Sequence, residues 1–104
     1  MSHQTFKSRS DVPIRLTSER LAHILENHQE MMSYVFELEV IIRDPDYIIE
    51  GKQQERIALR EYKNYYLVVI YKEDQNTKDG FIITAFKTTN IQYYLRKNIL
   101  WKKI

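Results

Sequence analysis

A chain of 104 residues that is 43% hydrophobic and 29% charged, with 2 Gly and 2 Pro, has room for one domain and excludes disordered and collagen-like classes. Cysteine is absent, which removes disulfides, thiolate metal sites and a cysteine nucleophile, and no apolar run approaches the roughly 18 residues of a membrane span. The net charge of +2 conceals a division, because residues 1–50 hold five Lys/Arg against nine Asp/Glu whereas residues 51–104 hold eleven against five.

The opening MSHQTFKSRS has no apolar core of a signal peptide, so residues 1–13 read as a flexible N-terminal segment and residues 14–104 as a single domain in a reducing cytoplasm. Thr17 is placed to cap a helix, its hydroxyl accepting from a free first-turn amide. Leu21, Ile24, Leu25 and His28 then recur at i, i+3, i+4 and i+7 and predict a helix ending near His28. A second helix is expected over about Met32 to Arg43, apolar around much of its circumference, with Asp44-Pro45 as its stop. Beyond it the period falls to two: DYIIEG, ERIALREY, YYLVVIYKE and Phe81 to Thr88 read as strands, with Lys63-Asn64 as a tight turn and Gln75 to Gly80 as a loop. Links this short make the strands antiparallel. The tail NIQYYLRKNILWKKI fits either a short helix or an edge strand. The expected fold is therefore α+β, two N-terminal helices on an antiparallel sheet of about four strands.

Strand parity places Ile82, Thr84, Phe86 and Thr88 on one face, with Lys87 pointing the other way. Arg60, Lys72 and Thr84 each interrupt an apolar strand. A cation there is costly to desolvate and so belongs at a margin, in an ion pair or in a site. His28 lies on the apolar stripe of the first helix and His23 on its polar side, about 140° apart on an ideal helix, which argues against a shared metal ion. Neither a phosphate-binding glycine loop nor a metalloprotease or two-metal carboxylate pattern is present. No metal and no cofactor is expected. From Lys87 to the end there are five cations (Lys87, Arg96, Lys97, Lys102, Lys103), no anion, and Tyr93, Tyr94 and Trp101 among them. Cations interleaved with aromatics suit phosphates and stacked bases, which makes RNA a candidate partner.

In order along the chain, IRLTSERLAHILENHQEM, VIIRDPDYIIEG, IALREY, YYLVVIYKE and DGFIITAFKT resemble the barnase–EndoU–colicin–RelE-like (BECR) nucleases of phages and prokaryotes, over about residues 14–103. The resemblance implies a RelE/barnase-like fold and a metal-independent, toxin-like endoribonuclease with a protein antitoxin as partner. By position it implies a catalytic set of His23, His28, Arg60, Lys72 and Thr84: either histidine as acid or base, Arg60 and Lys72 on the scissile phosphate, Thr84 donating to a non-bridging oxygen. Lys87, Arg96, Lys97, Lys102 and Lys103 would grip the RNA backbone. The competing reading is a non-catalytic RNA- or protein-binding module of the same fold.

Overall fold

The structure, a computed structural model, describes residues 3–104. The four strands read from alternation are all present: β3 (Tyr47–Glu50), β4 (Glu55–Glu61), β5 (Tyr66–Asp74) and β6 (Asp79–Thr88). They pair as an antiparallel meander, for example Ile48 with Ala58, Ala58 with Val69, and Val69 with Ala85. The β4–β5 turn falls on Lys63-Asn64, where Asn64 takes φ 108° and the Tyr62 amide donates to the Tyr65 carbonyl at 2.8 Å. The β5–β6 turn sits slightly earlier than expected: Lys78 holds the left-handed φ of 55°, while Asp79 and Gly80 are already paired in β6.

Two helices on a four-stranded antiparallel sheet is nevertheless too small a description, because the sheet has seven strands and is mixed. β1 (His3–Lys7) comes from the N-terminal segment, β2 (Pro13–Thr17) from the start of the expected domain and β7 (Ile99–Lys102) from the tail, giving the order β1-β2-β6-β5-β4-β3-β7. Strand β2 runs parallel to β6, pairing Ile14 with Gly80 and Arg15 with Phe81; all other pairs are antiparallel. Residues 1 and 2 of the segment expected to be flexible lie outside the described residues, and from His3 onward it joins the sheet.

Helix α1 (Ser18–Asn27) starts as its sequence dictates, with the Thr17 hydroxyl accepting from the Arg20 amide at 3.0 Å, and His28 is its C-cap at φ −136°. The expected second helix is split into a 3₁₀ segment, Gln29–Tyr34, and a shorter α2 (Glu37–Arg43). Both bury one side only: Met31, Leu38, Ile41 and Ile42 face the sheet, while Met32, Phe36 and Val40 remain exposed. With α1 they cover one face of the sheet and bury Ile14, Leu16, Ala58, Leu67, Val69, Tyr71, Ile82 and Ala85 beneath them. On the other face a small helix α3 (Ile91–Leu95) joins a second cluster of Ile49, Ile57, Leu59, Val68 and Phe86, and the end bearing Lys72, Phe81 and Thr84 stays open. None of these helices is long and apolar enough to cross a membrane.

Candidate active site

One departure from regular pairing decides which way Thr84 points. Ile82 pairs with Tyr71 and Thr84 pairs with Ile70, so Ile83 is an extra residue, a β-bulge. Strict alternation would put Thr84 on the same face as Ile82, which is buried beneath the helices. The bulge instead moves Thr84 to the other face, in line with Phe86 and Thr88, and corrects the parity expected for this strand. The Thr84 side chain is half-buried, and its hydroxyl has no hydrogen-bond partner among the described residues.

The bulge also stands where β6 has lost its neighbour, since β2 pairs with it only at Gly80 and Phe81. Helix α1 closes that free edge. Arg20, His23 and Asn27, at i, i+3 and i+7 on one stripe of the helix, border an open cleft with His28, Ile83 and Thr84. Both histidines line the cleft because His28 has left the helix: its non-helical backbone, φ −136° and ψ 72°, removes it from the angular arithmetic of an ideal helix. The His28 ring packs on Phe86 at a centroid separation of 5.5 Å, and Nδ1 lies 3.7 Å from Glu30 Oε2. Asn27 Nδ2 donates to the His23 carbonyl at 2.9 Å and lies 3.3 Å from His23 Nε2. When that amide donates, His23 keeps its proton on Nδ1.

Three of the five catalytic candidates, His23, His28 and Thr84, are thus brought to one cleft. Lys72 shares the open face but lies one row away, opposite Glu55 and Phe81, in a hollow also lined by Asp74 and Asp79. Arg60 is elsewhere. It is paired with Leu67 on the helix-covered face, and its Nη1 lies 3.2 Å from Asp44 Oδ2 and donates to the Asp44 carbonyl. Asp44 receives Lys103 Nζ as well, at 3.2 and 3.3 Å, and these donors, Lys103 first and Arg60 second, hold its carboxyl below the ordinary value of 3.8.

The remaining cations do not form one patch. Lys87, on the helix side, sets its Nζ 4.6 Å from the Tyr65 ring centre and 3.5 Å from the Tyr34 hydroxyl. Lys97 lies over Tyr93 at 5.0 Å, Lys102 over Tyr47 at 5.8 Å, and Arg96 is exposed beyond α3. Beside Lys87, Tyr62 stacks on Tyr65 and donates to Glu37 at 2.6 Å; burial, then that carboxylate, pushes its phenol well above the usual range. Sequence reasoning missed Arg20, Asn27 and Glu30. Their only signal was spacing from the histidines, three before His23, four after it, and two after His28.

Among the described residues no three His, Asp or Glu side chains gather as a metal ligand group. No curated protein and no solved structure matches the chain. A family model does, that of the phage-Barnase-EndoU-ColicinE5/D-RelE like nuclease2 family (PBECR2), over residues 2–102. A match of that extent takes in every strand, the bulge and the cleft, and the chain belongs to this family of BECR nucleases.

Proposed function

We propose that the protein is an endoribonuclease that cleaves RNA by attack of a 2′-hydroxyl on the adjacent phosphate, in the cleft between α1 and the bulged edge of β6. The observation that carries this reading is the bulge: it turns a threonine with an unpartnered hydroxyl out of the core and towards two histidines. The side chains supply each part of such a transesterification. One histidine takes the 2′-hydroxyl proton as the 2′-oxygen bonds to phosphorus. The phosphorus–5′-oxygen bond breaks, and the other histidine protonates the leaving oxygen. The products are a 2′,3′-cyclic phosphate and a free 5′-hydroxyl. Thr84 donates to a non-bridging oxygen as charge develops there, and Arg20 holds the phosphate in place; Lys72, one row along in an acidic hollow, is left out of it. Arg60, occupied by Asp44 across the sheet, takes no part in this scheme.

These groups work without a metal ion in this scheme. A toxin-like role, restrained by a protein antitoxin in the cytoplasm, belongs to the same proposal and is supported by the family likeness. Thr84→Val keeps the shape of the side chain and removes its donor, so cleavage of single-stranded RNA should fall about a hundredfold, with thermal stability close to wild type. Unchanged cleavage by Thr84→Val would remove the threonine from the scheme, and binding of intact RNA by the wild type would favour a non-catalytic module.

A further inference from the structure

The helices stop short of β7, and on their side of the sheet a groove of about 500 Å³ opens between the β1–β2 turn and the far edge strand. Arg9 and Trp101, in contact with one another, line it together with Arg56 and Tyr71. Pairing of Ile48 with Trp101, Ile48 with Ala58, and Arg56 with Tyr71 puts these residues on the helix-covered face, the reverse of the face to which Thr84 turns. The groove and the cleft are therefore separate. Their strands, β7 and β6, stand four positions apart in the sheet, roughly 19 Å at the usual interstrand spacing.

The Arg9 guanidinium lies 4.1 Å above the Trp101 ring centre. Stacking of this kind holds the fork flat while leaving its edge N–H groups available, and no acceptor among the described residues engages them. Arg56 Nη1 donates to the Gln54 carbonyl, at 3.3 Å, and more weakly to that of Glu55, while its Nε and Nη2 have no acceptor among the described residues. The one carboxylate at the rim, Glu73, accepts from the Ser8 hydroxyl at 2.7 Å. Two guanidinium groups against one engaged carboxylate favour an anion. An indole beside them favours an anion that carries a flat aromatic group. The volume lies within the range of small-ligand sites. The hollow at Lys72, lined by Glu73, Asp74 and Asp79, has the opposite charge balance and suits no phosphate.

We propose that this groove is a second docking point for single-stranded RNA, taking one nucleotide with its phosphate on Arg9 and Arg56 and its base against Trp101. The identity of the ligand rests on the nuclease reading; the groove itself does not. Trp101 is the chain's single tryptophan, so its fluorescence reports on this site alone.

The probe is a short 2′-O-methylated RNA, which cannot be cut by 2′-hydroxyl attack. Saturable quenching of Trp101 is expected, weakened at least about tenfold by Arg9→Ala and reduced by added salt as phosphate contacts require. An unchanged emission overturns the proposal, as does Arg9→Ala titrating like wild type. An equal response to poly-glutamate would overturn its nucleotide part. The nuclease reading is judged separately, by cleavage of unmodified RNA: quenching without cleavage upholds the groove and sinks the nuclease, and cleavage without quenching does the reverse.

Discussion

Arg60 and Thr84 show how differently two polar interruptions of apolar strands are resolved. In sequence, Arg60 is a cation in an apolar strand that needs a partner, a margin or a task, and the fold gives it a partner, Asp44, at the C-cap of α2. That pairing depends on where α2 ends over β4, a long-range fact no local pattern carries. It has a consequence in pH. A carboxyl held below its ordinary 3.8 in the folded state contributes stability that is fully present above that value and is lost as pH falls through the lowered one. Asp44→Asn should therefore flatten the acid limb of a stability profile measured by urea midpoint between about pH 6 and 2, and the difference should shrink with salt because the pair is exposed. Identical profiles would show that the two cations do nothing for folding. Thr84 has the opposite resolution: its hydroxyl finds no partner among the described residues, and the proposed scheme gives it the phosphate.

At the level of elements, the pairing of β2 with β6 brings the N-terminal segment to the sheet and leaves the edge at the bulge free for α1. Gly80 permits it. A Cβ there would meet the Lys72 carbonyl oxygen and Ile14 Cδ1 far inside contact distance, one of them backbone that cannot turn aside. Gly80→Ala should cost about 2 to 3 kcal/mol in urea denaturation, at the upper end for overpacking; a cost near zero would mean that β5 and β2 both give way freely.

Strands β3 to β6 were legible because each is a short apolar or alternating run, β5 nearly continuous, and the turn at Lys63-Asn64 separates two of them. Strands β1, β2 and β7 were not. Phe6 alone, or Ile14 with Leu16, is too short an alternation to declare a strand, and what fixes each of them is pairing, which only the folded chain supplies. The bulge is invisible for a related reason: parity is read along one strand, whereas a bulge exists only relative to its neighbour. His28 was placed on the helix's apolar stripe, and its packing on Phe86 follows from the helix ending one residue earlier.

For the whole molecule, the acid-free stretch from Lys87 to Ile104 does not become one basic surface. Its cations are distributed over both faces of the sheet, one bound to Asp44 and three lying over tyrosine rings. On the proposed reading, the molecule meets RNA at several separate points, with the chemistry in the α1–β6 cleft. The decisive measurement is cleavage of a single-stranded RNA in the presence of a chelator, compared with the same strand carrying 2′-deoxy sugars, with the product termini identified. Cleavage by 2′-hydroxyl attack predicts 2′,3′-cyclic phosphate and 5′-hydroxyl ends from RNA alone, and no cut where the 2′-oxygen is missing. Cleavage of the deoxy strand, or activity abolished by the chelator, would contradict it.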